Sequence, residues 1–123
     1  MSASGGFLVA LILLPREYNP DAGGRRRRIE ADKYAVTMRE LAMKFGGGSL
    51  LRRGRGMRRG FWWDRGILHE DELLAVEVDM PDSRRARDWI RRYAREVLLP
   101  RFAQQAIYIR LVGPVEVLFV TVS

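Results

Sequence analysis

The sequence predicts an α+β domain whose elements alternate as β-α-β-β-α-β and end in one further strand. Three observations predict it. Two segments carry apolar residues at the three-and-four spacing of an amphipathic helix. Several others are short apolar or period-two runs bounded by Gly, Pro and Asp. The chain has 123 residues, 47 % of them apolar and none of them cysteine, which is one domain's worth of core, residues 1–123.

Taken in order, Phe7–Leu14 (FLVALILL) is apolar at every position, so it reads as a central strand covered on both sides. Residues 16–28, with Asn-Pro-Asp and Gly-Gly, read as a mobile, basic loop. Residues 30–45 read as the first helix, with Tyr34, Met38, Leu41 and Phe45 as its stripe and Gly46 as its stop. Residues 46–60 (GGGSLLRRGRGMRRG) read as a second mobile basic loop. Phe61–Trp63 is a short strand, Asp64-Arg65-Gly66 a turn, and the acidic residues 70–72 an extension of that turn. Leu73–Met80 returns as the second arm of the hairpin. Pro81-Asp82-Ser83 caps a second helix whose buried stripe is Ala86, Trp89, Ile90, Tyr93, Val97 and Leu98, with Pro100 ending or kinking it near Leu99. Ile107, Ile109 and Leu111 alternate with Tyr108 and Arg110 in a strand that Gly113-Pro114 breaks, and Val115–Val122 is the last strand.

Right-handed crossovers place both helices on one face of a mainly antiparallel sheet. This order resembles the ferredoxin-like α/β sandwich over most of the chain. The stretch FGGGS, then GFWWD, then Gly66 and the acidic residues, is also similar to small bacterial proteins of that architecture. The resemblance implies a fold and no activity. It leaves one sheet face bare, yet the first strand is apolar on both faces. A second copy of the chain, packed sheet to sheet about a two-fold axis, is the expected cover; terminal segments folded over the face are the alternative.

The net charge is +7, and it is unevenly spread. Residues 25–65 carry a net +9, residues 66–83 carry six acidic groups and no Lys or Arg, and residues 84–101 carry a net +5. Of the 22 basic residues 20 are Arg, whose planar fork suits phosphate and carboxylate. The absence of cysteine excludes disulfide scaffolds, thiolate metal sites and cysteine nucleophiles. The apolar run of eight is far short of the roughly 20 residues that span a membrane and has no basic residue before it, so the expected location is the cytoplasm.

Four features are candidates for function. Arg52, Arg53, Arg55, Arg58 and Arg59 alternate with Gly ahead of Phe61-Trp62-Trp63, a pattern that suits phosphate contact with Trp62 stacking on a base; a solvated loop is the plain alternative. Arg84, Arg87, Arg91 and Arg95 form a helical stripe about 16 Å long, with Arg85 and Arg92 beside it, which reads as a phosphate-binding face or as an ordinary polar helix side. The run Arg25–Arg28 opposes the helix dipole and so stands outside the first helix. Asp64, His69, Asp71 and Asp79 are weak candidates for a divalent metal, at a spacing that matches no established motif. No Walker-type or dinucleotide fingerprint is present, and no cofactor is expected. The leading expectation is non-enzymatic binding of nucleic acid, RNA or a single strand before duplex DNA, through the Arg-rich loop and the second helix. The alternatives are a homodimeric protein-interaction module meeting an acidic protein surface, and a small metal-dependent nuclease; no membrane partner is expected.

Overall fold

Phe7–Pro15 forms β1, the central strand of an antiparallel sheet. The computed structural model describes residues 6–46, 49–51, 58–64, 66–118 and 120–122, and describes 49–51, 58–64 and 67–72 through their backbone pairing. The other elements follow as α1 (Ala31–Phe45), β2 (Ser49–Leu51), β3 (Arg58–Asp64), β4 (Ile67–Pro81), α2 (Arg84–Tyr93), a π turn (Ala94–Leu98), α3 (Leu99–Arg101) and β5 (Tyr108–Val115). The chain is thus an α+β domain, and no helix among its described residues is long and apolar enough to cross a membrane.

β1 lies between β4 and β5 and is antiparallel to both. β2 and β3 both pair with β4. Leu73 is opposite Pro15 on one side and Arg58 on the other, so β3 holds the edge of β4 away from β1. Leu51 is opposite Ala75 and Arg58 opposite Leu73. β2 and β3 therefore lie end to end along one edge of β4.

Four sequence expectations for the sheet change. The acidic residues 70–72 do not extend a turn. They belong to β4, which starts at Ile67, and Arg59 stands opposite Glu72 in register, a pairing of opposite charge that suits a strand. The loop expected over 46–60 contains β2 and the start of β3. Gly113-Pro114 does not break the last strand: β5 runs through it to Val115, with a register shift against β1 between Phe7 and Val9. Gly113 passes so close to β1 that a Cβ there would meet Leu8 Cδ2 at 2.4 Å. The expected strand Val115–Val122 is not formed among its described residues. Val115 already pairs with Phe7, the first residue of β1, so among the described residues β1 offers no further partner to the chain beyond it.

α1 follows its predicted stripe and ends at Gly46, whose φ of 91° is a left-handed conformation that glycine accepts without cost. α2 starts at Ser83, whose hydroxyl accepts from the Ala86 N–H at 3.1 Å. Pro100 does not stop this helix at Leu99. It lacks an N–H and crowds the preceding turn, and the backbone widens to i→i+5 pairing, with Leu99 N–H donating to the Ala94 carbonyl. The helical path then reaches Arg101.

The core fills the space between helices and sheet. Leu8, Ala10, Ile12 and Leu14 of β1 and Leu74, Val76, Val78 and Met80 of β4 are buried under Tyr34, Leu41, Ala86, Ile90, Leu98 and Phe102. The opposite face is different. Val9, Leu11 and Leu13 are only half-buried, and Phe7 is 42 % exposed. β1 is central, as its sequence predicts, but among the described residues only one of its faces is covered.

Candidate nucleic-acid interface

α2 lies over the β5 side of the sheet, and the two elements enclose a groove of about 460 Å³. One wall is helical: Arg87, Arg91 and Arg95 recur every fourth residue and so stack on one face, about 6 Å apart along the axis. The floor is β5 and the residue just before it: Ile107, Ile109 and Leu111 recur every second residue and turn toward the helix. A row of cations thus runs beside a row of aliphatic side chains.

The arginines are held to different degrees. Arg87 is fixed by Asp82, with Nη2 to Oδ1 at 2.8 Å. Arg84 and Arg91 both reach Asp88, at 3.9 and 3.7 Å. Arg95 has no ion pair among the described residues and is exposed. Exposed pairs of this length are worth at most about 1 kcal/mol each, so the guanidinium groups can exchange these carboxylates for a phosphate.

A partly buried cluster anchors this helical wall to α1. Arg101 donates from Nη1 to Thr37 Oγ1 at 2.8 Å and pairs through Nη2 with Glu40 at 2.8 Å. The Tyr93 hydroxyl donates to the same Glu40 oxygen at 2.8 Å. Burial, and then the bond to the Glu40 carboxylate, pushes the Tyr93 hydroxyl up to about 12. Desolvation raises Glu40, but the bonds from Tyr93 and Arg101 outweigh it and hold the carboxyl below its ordinary range. Trp89 stacks on Tyr93 with ring centroids 4.8 Å apart and meets Phe45 edge-on, so the α1–α2 contact is aromatic as well as ionic.

The other sequence candidates fall elsewhere. Arg52, Arg53 and Arg55 lie outside the described residues. Arg58, Arg59 and Trp62 lie on β3, opposite Leu73, Glu72 and His69. β3 borders the sheet edge away from β5, roughly 14 Å from the groove strand at the usual strand spacing. The run Arg25–Arg28 stands outside α1, as the dipole argument expects, in a loop closed on itself. Tyr18 N–H donates to the Arg27 carbonyl and Ile29 N–H to the Arg16 carbonyl. Arg27 pairs with Glu30 at 2.8 Å and lies over the Tyr18 ring. The Tyr18 hydroxyl donates to Glu30, which is the main cause that holds this carboxyl down at about 2. Among the metal candidates, Asp64 lies on β3 and His69, Asp71 and Asp79 on β4. Asp79 stands eight residues beyond Asp71, about 26 Å along the strand, so those two do not converge. Among the described residues no group of three or more His, Asp or Glu is placed to hold a metal ion.

Sequence reasoning found the arginine stripe and, separately, the alternation in β5. It missed that the two face each other, because their juxtaposition depends on the crossover from α2 to the sheet edge and no local spacing records it. In comparisons with known proteins, no family and no curated protein matches this chain.

Proposed function

We propose that this protein is a non-enzymatic nucleic-acid-binding domain that takes RNA or a single strand along the α2–β5 groove. One observation carries the reading: Arg87, Arg91 and Arg95 line one wall and Ile107, Ile109 and Leu111 the floor. A strand laid there meets guanidinium groups with its phosphates and aliphatic carbons with its sugar or base faces. The groove is shallow and offers no array of buried polar donors for reading base edges, so the binding is governed by charge and is weakly selective for sequence. Arg84 extends the wall, and Arg52, Arg53, Arg55, Arg58 and Arg59, with Trp62, form a second basic segment for a strand that crosses the domain. The element order, with β2 and β3 counted as one interrupted edge strand, supports a ferredoxin-like class, and the reading places the protein in the cytoplasm.

The test is a fluorescence-anisotropy titration of a labelled single-stranded RNA over a series of salt concentrations. The expected result is binding at low salt whose log affinity falls by about 0.7 per phosphate neutralised for each tenfold rise in salt. Absence of binding at low salt overturns the reading, and capture of an acidic peptide in its place assigns the same arginines to a protein partner. Changing the five arginines of 52–59 to Ser is expected to lower the affinity further; unaltered affinity removes that segment from the site.

A further inference from the structure

The face of the sheet away from the helices has an ordered chemistry. Pairing registers set it out in rows across three strands. The central column is Phe7, Val9, Leu11 and Leu13 of β1. On the β4 side, Asp79 stands beside Val9, Glu77 beside Leu11 and Ala75 beside Leu13. On the β5 side, Val112 stands beside Val9, Arg110 beside Leu11 and Tyr108 beside Leu13. Phe7, Tyr108 and Val112 are 42, 57 and 47 % exposed. Glu77, Asp79 and Arg110 make no ion pair among the described residues; Arg110 lies over the ring of Tyr108. The face is therefore apolar along its middle, acidic on one flank and basic on the other.

A surface of this kind is complementary to itself in one orientation. A two-fold axis running along β1, midway between two facing sheets, exchanges left and right flanks and keeps each row at its own level. It sets Leu11 over Leu11, Glu77 over Arg110 of the other copy, and Tyr108 over Ala75, the smallest side chain of these rows. A two-fold axis across the strands would instead stack β4 on β4 and oppose acid with acid. Aligned sheets also pack within about 30° of parallel, which the axis along β1 satisfies.

We propose that the open sheet face is the interface for a second copy of this chain, packed sheet on sheet about a two-fold axis along β1, with Glu77 and Arg110 paired between the copies. Exposed apolar surface supports the same partner, since contiguous patches of this kind are covered in most soluble proteins. Val117, Leu118, Val120 and Val122, after β5, are exposed as well. The groove between α2 and β5 lies on the other side of β5 and stays open in the pair.

The test is the molar mass of the full chain by light scattering over a dilution series, for the wild type, Arg110→Glu, Glu77→Arg and the double exchange. The expected wild-type mass is twice the chain mass of 14.2 kDa, falling toward 14.2 kDa on dilution. Each single reversal sets like charges face to face and is expected to raise the dissociation constant at least tenfold, and the double exchange to restore it. Arg110→Glu, at an exposed position, serves alone if Glu77→Arg fails to fold. A wild type that stays at 14.2 kDa overturns the proposal. So do single reversals that leave a dimer intact, or a double exchange that stays apart while its circular dichroism matches the wild type.

Discussion

The two faces of β5 differ in chemistry, and the partners proposed for them differ accordingly. Toward α2, Ile107, Ile109 and Leu111 look at a wall on which Arg87, Arg91 and Arg95 recur. Toward the open side, Tyr108, Arg110 and Val112 flank an apolar column that has Glu77 and Asp79 beyond it. Both surfaces are amphipathic. The first carries a row of cations, two of them paired with Asp82 and Asp88, and the second carries both signs on opposite flanks. A surface with cations in excess gains little from its own copy and suits the polyanion proposed for it. A two-signed surface with a mirror arrangement of charge is satisfied by itself. Total charge is therefore a poor guide to partner; the distribution of sign across each strand is the informative quantity.

The comparison breaks most visibly in stability. Ile109 packs against the core, and Ile109→Ala is expected to lower the unfolding free energy by about 2 kcal/mol, while Val112→Ala, three residues along the same strand, stays within about 0.5 kcal/mol. Urea unfolding at a concentration below dimer formation measures both. Equal losses would mean that the open face is covered within one chain.

A smaller effect concerns the groove wall. Arg101 touches no groove residue, yet with Glu40, Tyr93 and Thr37 it fixes the end of the helical path against α1. Arg101→Met is expected to lower stability by about 1.5 kcal/mol and to weaken RNA binding only a few-fold, with the salt slope unchanged, because no phosphate contact is removed. A slope that falls with Arg101→Met would place this arginine on the strand itself.

The smallest is a pH effect, shared by Tyr93 of this cluster and Tyr34 of α1. Tyr34 and Tyr93 are both pushed up to about 12, in each case chiefly by burial. Their protons are held more tightly folded than unfolded, so the stability they contribute is full below pH 10 and is lost as the pH rises through 10 toward 12. Alkaline unfolding followed by tyrosinate absorbance should show both rings ionising with the loss of structure, and Tyr93→Phe should remove part of that dependence. Rings that ionise near 10 before unfolding would contradict their burial.

Much of the fold is legible in the sequence because it is encoded locally. The stripe of α1, the Ser83 cap, the stripe of α2 and the alternation of β5 are each set by spacing within one element. The errors arise where pairing overrides local character. Residues 70–72 read as a turn from their charge, but β3 supplies a partner strand with Arg59 across from Glu72. Val115–Val122 reads as a strand from its composition, but β1 begins at Phe7, opposite Val115, and among the described residues offers nothing beyond it to pair with. Pro100 reads as an end or a kink near Leu99; the helical path is disturbed there, as a π turn over Ala94–Leu98, but it does not end. The arginine row was visible as a row, whereas its aliphatic floor depended on which sheet edge α2 covers.

The claim that the two faces of β5 serve separate partners is tested most directly by the salt dependence of RNA binding in two variants. Arg91→Ser with Arg95→Ser should lower the magnitude of the log–log salt slope by about 1.4, two phosphate contacts at ~0.7 each, while Arg110→Ser leaves it at the wild-type value. Equal slopes in both variants and the wild type would contradict the account, because the cations of the groove would then carry no phosphate.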